Sequence, residues 1–356
     1  AMSPSLHRLP GMLPHDLVHA AQTDGVVLRL DEARRLMGHT IGFGRGPLSK
    51  MRHSVRRAGS DWFETRCENT RLDVIDRIVD PQDGSTRFLF RHPDGATTEA
   101  VLIGLHKPDH FTICLSSQAG CAMKCAFCAT GRLGLSRNLH AWEMVAAWMT
   151  VRDEAPGRVT GAVFMGQGEP LHNYDEVIQA ARVLCHPNLG RIAAKAITIS
   201  TVGLVPRIRQ YTAEGHPFRL IVSMTSAIQS RRASLLPVAG KWTLEELAAA
   251  LRERHAATGR RITVAWVVLG GVNTGPDEAL ALKDLLGDVP ILINLIDVND
   301  DRASGFVRAT DEERGAFLDS LQILGAPLVR RYSVGSDQAS ACGMLASRHA
   351  LSEGAR

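Results

Sequence analysis

The chain has 356 residues, 45% of them hydrophobic and 22% charged, without a low-complexity tract, so it can bury a full core at ~100–200 residues per domain. No apolar run reaches the ~18 residues of a spanning helix and the N-terminus lacks a signal-peptide pattern, so no membrane partner and a cytoplasmic placement are expected. A net charge of +4 permits nucleic-acid binding without requiring it, and seven cysteines, an odd number in a long chain, speak against a secreted disulfide framework and for metal or redox use.

Residues 14 to 57 read as short helical pieces ending in RGPLSKMRHSVRRAG, where Arg45, Lys50, Arg52, Arg56 and Arg57 crowd together. Such a run is either a solvated helix face or a phosphate-contacting patch. From about 60 to 105 the pattern becomes β-rich runs separated by Asp-Gly pairs, which predicts a small antiparallel extension built of hairpins. From FTICLS onward the runs GAVFMG, AITIST, FRLIVSM, ITVAWVVL, PILINLI and APLVRRY have strand character. The segments YDEVIQAARVL, TLEELAAALRERHAATG, DEALALKDLLG and TDEERGAFLDSLQILG between them have helical spacing. The expectation is an α/β fold in three regions: 1–58 helical, 59–105 the β extension, and 106–348 a parallel sheet with helical crossovers, open or closed into a partial barrel. Functional loops then belong at the C-terminal ends of the strands.

One such loop carries CAMKCAFCATG, with Cys121, Cys125 and Cys128 spaced C-x3-C-x2-C between a strand and a helix beginning near Ala141. Three thiolates can ligate three irons of a 4Fe–4S cluster and leave the fourth iron open. That iron can chelate the amino and carboxylate groups of S-adenosylmethionine (SAM), whose reductive cleavage releases a 5′-deoxyadenosyl radical. A zinc site would want a fourth ligand, and Cys114 or His140 would have to fold back to supply it.

The triplet, with Phe127 before its last cysteine, resembles the radical-SAM enzymes. In that superfamily a Gly-Glu pair after the second barrel strand meets the SAM amino group, which matches Gly168 and Glu169 in MGQGEP. The glycines allow close approach of backbone, and the glutamate offers the carboxylate that a cationic amine needs. The resemblance implies a partial (β/α)6 barrel.

A narrower resemblance is carried by TICLSSQAGCAMKCAFCATGRLGLSRNL, FMGQGEPL, ITISTVGLVP, VLGGVN, NLIDVN and GSDQASACGML, which together are similar to the Cfr/RlmN family of adenosine methyl synthases. The likeness implies a methylatable Cys342 and a resolving Cys114, seven residues before the first cluster cysteine. In that chemistry one SAM methylates the Cys342 thiolate, and a radical from a second SAM takes hydrogen from the S-methyl group. The carbon radical adds to an sp2 carbon of the substrate, and Cys114 attacks the Cys342 sulfur as the tether breaks, leaving a disulfide. Glu99 aligns with the base that removes the substrate proton. Ser200, Ser223, Met224, Thr225 and Asn299 align with SAM-contacting positions, although a serine or asparagine at a strand end is by itself more often a cap or turn residue. The family further implies a ribosomal or transfer RNA substrate methylated at adenosine carbon 2 or carbon 8, a flavodoxin-type reductant and a monomer. Cys67 and Cys185 match nothing in the family and read as small apolar residues.

The departures fall on the substrate side. Ser223-Met224-Thr225 stands where the family has Ser-Leu-His, DDRASG with Asp300 and Asp301 replaces a proline-rich stretch, GSDQASAC retains only Asp337 of an acidic run, and the first 55 residues lack the family's RNA-binding pattern. They support a second reading, the same two-cysteine methylation of a small molecule or peptide. A non-catalytic cluster- or zinc-binding module would need neither Cys114 nor Cys342.

Overall fold

The computed structural model describes residues 6–42, 54–299 and 304–331. Ten strands form one sheet in strict chain order: β1 (Asp73–Val79), β2 (Thr86–Arg91), β3 (Thr97–Gly104), β4 (His110–Leu115), β5 (Arg158–Phe164), β6 (Ile197–Thr201), β7 (Arg219–Ser223), β8 (Ile262–Val268), β9 (Ile291–Asp297) and β10 (Leu328–Arg331). The first four pair antiparallel, and from β4 to β10 every pairing is parallel. Helices cross over between the parallel strands: α5 (Ala141–Glu154), α6 (Tyr174–Cys185), α7 (Val205–Ala213), α8 (Gln229–Leu235), α9 (Leu244–Thr258), α10 (Pro276–Leu286) and α11 (Asp311–Leu321). This is the α/β partial barrel expected, six strand–helix units with β10 added at the edge.

The alternation of side chains decides which face is which. Ile113, Leu115, Ile199, Val222, Val264, Trp266, Ile293 and Leu295 point to the helices and join the main apolar core. Their neighbours Cys114, Val163, Ser200, Ser223, Ala265 and Ile296 therefore point to the other, concave face. Both faces of β8 and β9 are covered, which is why ITVAWVV and ILINLID read as almost continuous apolar runs. Helix α9 starts on a full capping box: Thr243 Oγ1 accepts from Glu246 N at 3.2 Å and Glu246 Oε2 accepts from Thr243 N at 2.8 Å.

The β extension is no separate sheet, since β1–β3 lengthen the barrel sheet at the β4 edge. The expected boundary at residue 58 falls inside a helix, α3 (Arg57–Arg66). Earlier come α1 (Pro14–Thr23) and α2 (Leu30–Met37), and between β4 and α5 the short α4 (Ala129–Leu133). One apolar cluster runs from Leu9 to Leu321, so the N-terminal region packs onto the barrel. The turn Leu9–Gly11 lies against α5 and α6; a Cβ on Gly11 would stand 3.0 Å from Trp142 Cβ, and Arg152 donates to Ile41 O at 2.6 Å. The basic run is partly consumed here. Arg56 forms an ion pair with the buried Glu32 at 2.7 Å, Arg57 stands exposed beside Asp61, and Arg45, Lys50 and Arg52 lie outside the described residues. Among the described residues no helix is long and apolar enough to cross a membrane.

Where the extension meets α5, buried His92 donates from Nδ1 to Glu143 Oε1 at 2.6 Å, and its Nε2 is hydrogen-bonded to Thr98 Oγ1 at 2.8 Å. Arg137 bridges Glu143 at 2.8 Å to Asp94, and His140 N donates to Glu143 at 2.8 Å. Burial, the largest single influence on Glu143, favours its neutral form, but the bonds from His92, Arg137 and His140 prevail and hold the carboxyl down to about 2.

Candidate active site

The cysteine loop is clamped at its base by a two-stranded ladder in which Gln118–Gly120 pairs with Leu135–Asn138, and Cys121 N donates to Gly134 O at 2.7 Å. Inside the loop Lys124 takes a left-handed turn, φ 52°, Cys128 N donates to Cys125 O at 3.1 Å, and Ala126 N donates to Leu235 O at 2.9 Å, which ties the loop to the end of α8. The result places Cys121, Cys125 and Cys128 together on the wall of an open cavity of about 1010 Å³ at the C-terminal ends of the barrel strands. Burial pushes the Cys121 thiol up to about 11 and raises Cys125 and Cys128 as well. An iron cluster must therefore displace protons to bind.

Across the cavity stand Gly168, Glu169, Ser200, Ser223 and Asn299. Gly168 has φ 99°, and a Cβ there would come within 2.6 Å of Gln118 Cβ, so only glycine carries the chain past Gln118. Gln118 then positions its neighbour: Oε1 accepts from Glu169 N at 2.8 Å, while Nε2 bonds Asn138 Oδ1 at 2.7 Å and His172 Nδ1 at 2.9 Å. Glu169 is 2% exposed. Its carboxylate accepts from Val202 N at 2.9 Å and Leu171 N at 3.0 Å, yet burial outweighs these bonds and raises its pKa to about 7. A carboxyl so placed gains most from a cation entering the cavity. Asn299 is positioned by Arg308, which donates to Asn299 Oδ1 at 3.1 Å and to Val298 O at 3.0 Å.

Not every expected residue reaches the cavity. Met224 alternates with Ser223 and joins the core under the helices. Thr225, at φ 62°, is fully buried, with Asn273 donating to its carbonyl at 2.6 Å and its hydroxyl 3.4 Å from Ser223 Oγ. Ser223 alone of that triplet lines the wall. Cys114 does not line the cavity; it lies on the concave face in a cluster with Val101, Val163 and Met165, and Met165 lines the cavity. Glu99 lies farther along that face on β3, 3% exposed, 3.4 Å from the buried Arg87. Cys342, Asp300, Asp301 and Asp337 lie outside the described residues. Cys67 and Cys185 are half-buried with thiols raised by burial, Cys67 to about 12, as inert structural cysteines should be.

Arg232 on α8 has no precedent in the motif reading. It is 2% exposed; Nη2 donates to Val202 O at 2.6 Å, whereas Nε and Nη1 have no partner among the described residues. A buried guanidinium with orphaned N–H groups costs several kcal/mol unless an anion faces it. Its charge interacts with Cys125. Three thiolates carrying an iron–sulfur cluster supply that anion, so the residues present fit the cofactor.

Fold and site together define a radical SAM domain, and the profile of the Radical SAM superfamily matches residues 115–285. A crystal structure of a radical SAM methyltransferase from Sphaerobacter thermophilus superposes with a TM-score of 0.86 at 34% identity, covering 96% of this chain and 100% of that one. A probable RNA methyltransferase of Anaeromyxobacter sp. is 50% identical over 90% of this chain and 94% of its own length. The dual-specificity RNA methyltransferase RlmN of Syntrophobacter fumaroxidans is 37% identical over 91% and 94%. The chain belongs to the RlmN/Cfr-type family of radical SAM methyltransferases, enzymes that work with a 4Fe–4S cluster and SAM.

Proposed function

We propose that this enzyme methylates RNA, at carbon 2 or carbon 8 of an adenosine in ribosomal or transfer RNA, carrying the methyl group on Cys342 and releasing the product through Cys114. The substrate class is supported by relatives named as RNA methyltransferases over nearly their whole length. The observation that carries the two-cysteine route is the position of Cys114: a thiol on the concave face in a small cluster that includes Met165, a residue that also lines the cysteine cavity. A cluster-binding module would have no use for it there.

When bound, the cluster and SAM supply a 5′-deoxyadenosyl radical. The chain's own residues do the rest. Glu169 takes the SAM ammonium, exchanging the cost of its buried charge for an ion pair. Ser200, Ser223 and Asn299 offer hydroxyl and amide groups to the carboxylate and ribose, and Met165, Phe127 and Val298 exclude water from the radical. Cys342 accepts the methyl group as thiolate and delivers it as a methylene bridge to the adenine carbon. Glu99 removes the proton from that carbon, its own charge balanced by Arg87, and the odd electron of the adduct leaves to a one-electron acceptor, a role the oxidised cluster would fill. Cys114 then attacks the Cys342 sulfur, the sulfur–carbon bond breaks, the released carbon takes up a proton, and the two cysteines end as a disulfide that an external reductant reopens.

The test is anaerobic turnover of the reconstituted enzyme with methyl-labelled SAM, offered protein-free ribosomal RNA, transfer RNA and a small-molecule and peptide extract in parallel. Label in an RNA adenosine, located by nucleoside mass spectrometry, is expected. Label only in the extract would overturn the RNA assignment and transfer the two-cysteine chemistry to a smaller substrate.

A further inference from the structure

At the opposite end of the barrel from the cysteines, the N-terminal ends of β7 and β8 and the helix α9 line a second hollow, open to solvent on one side. Its charged wall consists of Arg219, Arg254, Arg260 and Arg261, and no aspartate or glutamate lines it. Among the described residues none of the four takes part in an ion pair, although most other arginines of the barrel helices do, such as Arg209 with Glu253 and Arg252 with Asp288. Arg254 is 6% exposed. Its guanidinium lies 4.9 Å over the Tyr211 ring, which is itself fixed by a hydrogen bond from the phenol to Phe218 O at 3.0 Å, and it has no hydrogen-bond acceptor among the described residues. Burial, and then the like charge of Arg260, work against its protonated form.

Simple structural needs account for one arginine of the four. Arg260 follows the left-handed cap Gly259 at the end of α9, where a cation meets the negative end of the helix dipole, and it donates to Pro217 O at 3.2 Å. Arg219 and Arg261 are exposed at the mouth, and Arg254 is buried at the back. Four like charges around an apolar floor of Leu220, Leu251 and Ile262 repel one another, and a multiply charged oxyanion relieves that repulsion while matching the planar donor forks of guanidinium.

We infer that this hollow is a phosphate-binding site, distinct from the SAM cavity and separated from it by the length of β7. The inference does not rest on the RNA assignment, because a free phosphate ester and a backbone phosphate of RNA present the same chemistry to the arginines.

The experiment titrates inorganic phosphate against the full-length holoenzyme and follows thermal stability, with chloride at matched ionic strength as the control. Saturable stabilisation by phosphate is expected, weakened about tenfold in Arg219→Ala and in Arg261→Ala, both exposed and tolerant of substitution, and abolished in Arg254→Met if that variant folds. A second arm measures RNA binding against salt for the same variants. A fall in the log–log salt slope of about one contact, ~0.7–0.9, identifies the RNA backbone as the source of the phosphate; an unchanged slope with weakened phosphate binding identifies a free phosphate ester. Phosphate stabilisation that survives in Arg219→Ala and Arg261→Ala, or is matched by chloride, overturns the assignment.

Discussion

Two buried carboxylates, Glu143 at the junction with the β extension and Glu169 on the cavity wall, are 1% and 2% exposed and have opposite electrostatics. Glu143 is surrounded by His92, Arg137 and a backbone amide and is held down to about 2. Glu169 has backbone amides, the Thr201 hydroxyl and, among the described residues, no cation, and is raised by burial to about 7. The guanidinium of Arg232 repeats the second pattern with the opposite sign, since its Nε and Nη1 lack partners among the described residues. The junction balances its charges within the chain and so holds structure together. Among the described residues the cavity gives neither group a counter-charge, which suits the two ligands proposed for it, the ammonium of SAM at Glu169 and an anionic cluster at Arg232.

The largest effect that would sharpen this contrast is expected from Cys125→Ala, which removes a proposed cluster ligand and the sulfur whose charge interacts with Arg232. Visible iron–sulfur absorbance and all SAM cleavage should be lost; an intact cluster in that variant would refute the ligand assignment. Next comes Glu143→Gln, which unpairs a buried network and should cost about 3–5 kcal/mol in chemical denaturation at neutral pH. Because the folded pKa of Glu143 lies below its unfolded value, its contribution is present above about 4.5 and lost as the pH falls toward 2. The wild type should therefore lose stability in that window and the variant should not.

Glu169→Gln should act in the reverse sense. A folded pKa raised to about 7 means that the empty protein loses stability as pH rises from about 4.5 through 7, by about 3 kcal/mol at ~1.4 kcal/mol per unit. The glutamine variant should be free of that loss while binding SAM at least tenfold more weakly, as equilibrium dialysis would read; unchanged SAM affinity would break the comparison. Smallest is Arg308→Ala, which releases Asn299. Losing one positioning bond of about 1 kcal/mol should raise the KM for SAM roughly fivefold with kcat nearly unchanged.

Much of this was legible in the sequence wherever a local pattern carried the signal. The seven barrel strands from FTICLS to APLVRRY are found within a residue or two of their expected places, except that β5 begins three residues early, because buried parallel strands are apolar on both faces. The cysteine spacing located the loop, and MGQGEP located the wall opposite. Helix α7 escaped notice because VPRIRQYTA opens near a proline and buries only Val205, Ile208 and Tyr211, and α8 because its seven residues bury little beyond Arg232 and Leu235. The residues that complete the site, Gln118, Arg232 and Arg308, act through partners 9 to 54 positions away. No spacing rule encodes such partners. Met224 and Thr225 fell short for local reasons: alternation turns Met224 to the face opposite Ser223, and Thr225 lies past the end of β7, where a left-handed turn at φ 62° buries it.

If a second thiol beside but outside the cluster releases the methylated product, a single anaerobic turnover of Cys114→Ala with methyl-labelled SAM and RNA, resolved by denaturing electrophoresis, should show it. A labelled, ribonuclease-sensitive covalent protein–RNA species should accumulate with almost no free methylated RNA. Free methylated RNA at the wild-type rate, with no covalent species, would contradict the account.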